Sequence, residues 1–186
     1  MIGLILYLTG LLVAGSCGVM SAIADWKGMK IPNLYPGMVL GAFVVSFVGY
    51  AMATQDPEIF SSFTAHLTSA GIIFAITFFL FLTIRFGAGD SKLLTAFAIW
   101  FPPGLLIPFL FSMSVIGAAL SLLAIIIRKV KPFKDPAEGS WIAKLQKGES
   151  VVPYGIAITG GAIVAFLSHG YISPTNLECF LQTCRL

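Results

Sequence analysis

The sequence predicts an all-α, polytopic membrane helix bundle with about six transmembrane helices and its N-terminus outside. Three observations predict it. Of the 186 residues, 58% are hydrophobic and the mean hydropathy is +0.94. Charged residues make up only 10%, against about 25% in a soluble domain, too few to cover a water-facing surface. Uncharged runs long enough to cross a bilayer recur along the chain, each bounded by polar turns. The length suits one membrane-embedded domain over residues 1–186.

The elements follow from these runs. Ile2–Ala24 is uncharged and ends at Asp25; it lacks the basic start of a signal peptide and reads as a retained helix. Ile31–Gln55 is the second run, with its helix expected over Leu34–Ala53. Ile59–Ile84 is the third, containing His66. Leu93–Ile127 is too long for one span, and Phe101-Pro102-Pro103-Gly104 breaks it. A short helix over Ser91–Trp100 and a full one over Leu105–Ile127 are therefore expected. The short one rises only about 15 Å, half the hydrocarbon thickness, and needs neighbours to shelter its end. The last run gives a helix over Pro153–Ser168.

Charge placement orients the bundle. With six spans, Lys27, Lys30, Arg85, Lys92, Arg128, Lys129, Lys131, Lys134, Lys144 and Lys147 share one side, and only Arg185 lies on the other. The positive-inside preference makes the first side cytoplasmic. Asp56 and Glu58 then fall in an outer loop. Residues 128–150 form a cytoplasmic loop, in which Trp141, Ile142 and Leu145 share one face of a short interfacial helix. Trp26, Trp100 and Trp141 fall near expected interfaces, where ring anchoring accounts for them. The basic loops are explained by topology, and no pattern for nucleic acid accompanies them.

The three cysteines carry no metal motif: Cys17 reads as a small buried hydrophobe, and Cys179 and Cys184, in the last ten residues, form a disulfide only if that tail lies in an oxidising compartment. No metal site and no cofactor are expected. His66 and His169 fall toward the outer face and read as packing residues.

Two polar turns carry the chemistry. Ala24-Asp25-Trp26-Lys27 closes the first helix, and Gly87-Ala88-Gly89-Asp90-Ser91-Lys92 opens the fourth. In the six-span topology both aspartates sit at the same depth on the same side. A carboxylate at an apolar boundary needs a reason. Capping suffices for either alone, since Asp90 at a helix start is favoured by the dipole. Two at one depth suggest a pair. Adjacent carboxylates cannot both ionise comfortably, so one acts as base and its partner as acid. That is the requirement of metal-free peptide hydrolysis. Gly87 and Gly89 leave room for a backbone or extended substrate beside Asp90. Two membrane aspartates also suit a small proton- or cation-coupled transporter, but such sites lie near the midplane.

Gly87-Ala88-Gly89-Asp90 resembles the GxGD signature of intramembrane aspartyl proteases. Asp25 followed by Ile31-Pro32-Asn33, with Lys92 and Val152-Pro153-Tyr154-Gly155, is similar to the motifs of type IV prepilin peptidases, closest to the short peptidases of tight-adherence (Flp-type) pilus systems. The resemblance implies a multi-pass enzyme of the bacterial inner membrane that removes the basic leader from prepilins or pilin-like subunits. It implies Asp25 and Asp90 as catalytic residues and Gly87, Gly89, Pro153 and Tyr154 as substrate-binding ones. Ser91 is near enough in sequence to help. Asp135, Glu138 and Glu149 read as solvated loop acids. The paired cysteines of the longer, methylating members have no counterpart here, so no methyl donor is expected. Other GxGD proteases, the preflagellin peptidases and the signal-peptide-peptidase-like enzymes, are the nearest alternative.

Overall fold

The computed structural model describes residues 1–53, 60–84, 86–173 and 177. It contains α1 (Ile2–Gly28), α2 (Leu34–Ala53), α3 (Phe63–Ile84), α4 (Ala88–Ala98), α5 (Pro103–Val130), α6 (Trp141–Gln146) and α7 (Tyr154–Ser168), and no strand among the described residues. α1, α2, α3 and α5 are long and apolar enough to cross a membrane. The protein is thus a polytopic helical bundle. Cys179, Cys184, Asp56, Glu58 and Arg85 lie outside the described residues.

Small residues let the helices approach closely, as in-membrane packing requires. A Cβ on Gly49 of α2 would lie 2.6 Å from the Gly3 carbonyl and 2.8 Å from the Tyr7 nitrogen. A Cβ on Gly10 would overlap Ser46, whose hydroxyl donates to the Tyr7 carbonyl at 2.9 Å. α7 meets α5 through Gly161, where a Cβ would lie 2.7 Å from the Met113 backbone, and meets α1 through Thr159, whose hydroxyl donates to the Gly18 carbonyl at 2.9 Å. Gly49→Ala is expected to destabilise the bundle by about 1–3 kcal/mol, measured as a lowered unfolding temperature in detergent, because backbone stands in the way on the α1 side.

The short α4 lies between these longer helices, with Leu93, Leu94, Ala96, Phe97 and Ala98 buried. Its end is sheltered by an aromatic plug of Tyr7, Phe43, Phe60, Trp100, Phe101, Phe166 and Tyr171, all buried. The plug also satisfies the carbonyls that α4 leaves open. His66 Nδ1 donates to the Ile99 carbonyl at 2.7 Å, the Tyr171 hydroxyl donates to the Trp100 carbonyl, and the Tyr7 hydroxyl donates to the Tyr171 carbonyl at 2.7 Å. In an apolar medium such groups need partners within the protein. This is how a half-length helix is accommodated.

Two tryptophans depart from the sequence expectation. Trp100 is not an interfacial anchor: it is fully buried in the plug, with its indole N–H on the Val39 carbonyl at 3.3 Å. Trp141 is also fully buried, because α6 folds its apolar face onto the ends of α1 and α5. Its ring meets Trp26 edge-on at 4.8 Å, its N–H donates to the Val151 carbonyl at 2.8 Å, and Ala124, Ile127 and Leu145 complete the cluster. Ser140 caps α6 through its hydroxyl, which accepts from the Ala143 N–H.

Every described Lys and Arg belongs to one end of this bundle: Lys27 and Lys30 after α1, Lys92 in the first turn of α4, Arg128 to Lys134 after α5, and Lys144 and Lys147 around α6. Contacts across that end join them, from Lys92 to Asn33, Arg128 to Ser150, and Trp26 to Trp141.

Candidate active site

Asp25 lies in the last turn of α1. The helix runs on to Gly28 and ends at Met29, whose left-handed backbone returns its N–H to the Asp25 carbonyl at 2.8 Å. The Asp25 side chain is 4% exposed and points inward, toward the start of α7. There Asp25 Oδ2 accepts the Gly155 N–H at 2.8 Å. α7 begins at Tyr154, with Pro153 before it. The early N–H groups of a helix have no intrahelical partner, and Asp25 takes one of them.

Asp90 sits in the first turn of α4, after Gly87 at the N-cap. Its side chain curls back over that cap: a Cβ on Gly87 would overlap Asp90 Oδ2. The other oxygen, Oδ1, is buried and accepts no hydrogen bond among the described residues.

The two carboxylates line one cavity of ≈ 520 Å³ at the basic end of the bundle, together with Met29, Lys30, Ile31, Pro32, Asn33 and the Gly87–Gly89 backbone. A second cavity of ≈ 370 Å³ adjoins Asp90 and is lined by Leu80, Phe86, Val151, Val152 and Tyr154. The Phe86 and Tyr154 rings face each other there at 6.1 Å. An extended chain entering this end of the bundle therefore finds two adjoining hollows that share Met29, Gly87 and Asp90, the first adding Asp25 and the second Ser150 and the Phe86 and Tyr154 rings. Among the described residues no three His, Cys, Asp or Glu side chains gather as a metal site would require.

The residues singled out in the sequence divide as follows. Asp25, Asp90, Gly87 and Gly89 meet at the first cavity, and Tyr154 lines the second. Pro153 is buried and lines neither; it stands where α7 starts, ahead of the Gly155 amide. Ser91 is turned away, donating to Thr77 Oγ1 on α3 at 2.8 Å, so it ties α4 to α3. His66 is in the aromatic plug at the other end, and His169 closes α7. Asp135, Glu138 and Glu149 are exposed.

Two features were not legible beforehand. Gly155 supplies the amide that holds Asp25, and a Cβ there would lie 3.0 Å from Asp25 Oδ2. Asn33 Oδ1 accepts from Lys92 Nζ at 2.9 Å, joining the α1–α2 turn to α4. The latter pair had a signal, since both belong to the motif segments, but nothing local showed that they touch. Lys92→Met is expected to lower turnover a few-fold, whereas Asn33→Asp, which keeps an acceptor for Lys92, leaves it near wild type; an exposed pair of this kind contributes about 0.2–1 kcal/mol. Steady-state kinetics of the two variants check this.

A sequence model of the type IV leader peptidase family matches residues 11–122, a stretch that includes Asp25, the Ile31–Asn33 turn and Gly87–Asp90. No curated protein and no solved structure matches the chain.

Proposed function

The chain belongs to the type IV leader peptidase family, and on that premise we propose that it is an aspartic endopeptidase whose catalytic pair is Asp25 and Asp90. Its substrate is a prepilin or pilin-like subunit, from which it removes the basic leader. The observation that carries this reading is the shared cavity: two carboxylates, sixty-five positions apart in the chain, line one hollow at one end of the bundle.

The chemistry follows from that pairing. With one proton between the two acids, the ionised one takes a proton from a water molecule as its oxygen attacks the scissile carbonyl. The protonated one then gives its proton to the departing nitrogen as the C–N bond breaks. The Gly155 N–H holds one Asp25 oxygen in place and leaves the other for this work. Gly87 leaves room for the Asp90 carboxylate, and the Phe86 and Tyr154 rings at the second hollow suit an apolar side chain of the segment that follows the scissile bond. A helix occupies its own carbonyls, so the substrate must be extended at the point of attack.

The gathering of Lys and Arg at the same end supports a cytoplasmic position for the site in a bacterial inner membrane, with the N-terminus outside. A pilin-like substrate would then dock its apolar helix against the bundle while its leader stays in the cytoplasm. Co-expression with a prepilin tests the reading: the wild-type chain is expected to convert the precursor to a shorter form on a gel. A precursor that stays full length beside abundant, membrane-inserted enzyme, across prepilins of several classes, would contradict it.

A further inference from the structure

We infer that Ile31 is a positioning residue of this site: its side chain is the spacer that fixes the turn carrying Asp90 against Asp25 and the Gly155 amide. The inference rests on the reading of Asp25 and Asp90 as the catalytic pair. Two glycine backbones close on Ile31. A Cβ on Gly89 would meet Ile31 Cβ at 3.2 Å and the Ile31 nitrogen at 3.7 Å, while one on Gly155 would meet Ile31 Cδ1 at 3.2 Å. The first glycine immediately precedes Asp90; the second donates its N–H to Asp25 at 2.8 Å. One side chain thus touches the backbone supporting each carboxylate.

The residue type suits the task. A β-branched side chain is stiff about its first torsion, so its width is set, where Leu or Met would yield. Pro32 follows, which holds the Ile31 backbone in the extended region, and Ile31 itself has no polar atom to take part in the reaction. It is half-buried and lines the cavity beside both acids. Removing a contact of this kind elsewhere in the bundle would lower stability alone. Here it frees two turns whose separation decides whether base and acid serve one water and one peptide bond, and misplacement by about 1 Å costs on the order of a hundredfold in rate.

The full chain in proteoliposomes, assayed for leader removal from a purified prepilin, tests the inference. Ile31→Ala is expected to lower kcat about tenfold or more with KM within about twofold, and Ile31→Val, which lacks only the Cδ1 that meets Gly155, to lower it by a smaller factor. Gly89→Ala presses a methyl group onto Ile31 and is also expected to slow turnover. The nearest contact is with Ile31 Cβ, which Ile31→Ala keeps and Ile31→Gly removes, so combining Gly89→Ala with Ile31→Gly should lose less than the product of the two single effects, a compensation that independent sites do not show. Ile127→Ala, in the separate cluster under α6, should lower the unfolding temperature while leaving kcat unchanged. Should Ile31→Ala not accumulate, Gly89→Ala with and without Ile31→Gly decides by the same criterion. An unchanged kcat for Ile31→Ala, or a Gly89→Ala/Ile31→Gly variant no better than the product of the two single effects, overturns the assignment. If the wild type processes the prepilin and the Asp25→Asn and Asp90→Asn variants do not, such a result removes Ile31 alone. If the wild type is as inert as those variants, the peptidase reading falls and this inference with it.

Discussion

Asp25→Asn and Asp90→Asn are each expected to reduce leader removal by about 10²–10⁴-fold, below what a gel detects, while the protein still inserts and folds. Asn has the shape of Asp, and its amide oxygen can still accept the Gly155 N–H that Asp25 Oδ2 accepts at 2.8 Å. At position 90 no hydrogen bond to the buried Oδ1 is lost, because none is present among the described residues. Neither change deletes packing volume. Activity and stability should therefore separate: unfolding temperatures near or above wild type, with no processed product. Because base and acid act as a unit, the double variant should be no worse than either single one. Equal residual activity in one single variant and the wild type would remove that residue from the pair.

Gly87→Ala is expected to have the next largest effect while leaving both carboxylates in place. A methyl group at position 87 overlaps Asp90 Oδ2, so the carboxylate must rotate away from its present orientation. A shift of this size should cost about 10- to 100-fold in turnover. The backbone gives no reason for a loss of stability, since Gly87 sits at φ −63°, ψ 129°, a conformation open to any residue. At such positions Gly→Ala stabilises by about 0.4–1 kcal/mol through the unfolded chain, offset here in part because Ala is the poorer N-cap. The expected result is a stable, slow enzyme. Matching losses of stability and activity would instead mean that Gly87 serves the fold.

Much of the fold was readable because apolar runs and their punctuation are local. α2 runs over the expected Leu34–Ala53, and α7 starts one residue later than Pro153. The break at Phe101-Pro102-Pro103-Gly104 is real, but α5 resumes at Pro103, earlier than the expected Leu105. Proline at the first helical position lacks only an N–H that would have no partner there. α1 likewise continues three residues past Asp25. That Asp25 and Asp90 lie at one end of the bundle, along one cavity, was expected from counting spans and charges.

What escaped the sequence is what depends on distant chain segments. Nothing near Asp25 marks its bond to Gly155, 130 positions later. Nothing near Trp100 marks the Tyr171 hydroxyl that caps its carbonyl, so an indole beside a predicted helix end read as an anchor when it is a core residue. The same holds for Trp141, whose partner Trp26 lies on the first helix. Ile31 and Gly89 were visible as motif members, but their contact is a fact of packing.

The most direct measurement of the central claim needs no substrate. With Cys17, Cys179 and Cys184 replaced by Ser, cysteines are placed at positions 25 and 90, and the membrane-embedded protein is treated with a short bifunctional thiol-reactive reagent and digested. Peptides containing residues 25 and 90 are expected to be recovered covalently joined, within one chain and without added prepilin. Efficient single labelling of both cysteines with no linked peptide, at any reagent length that fits within the cavity, would mean that the two acids do not share a site.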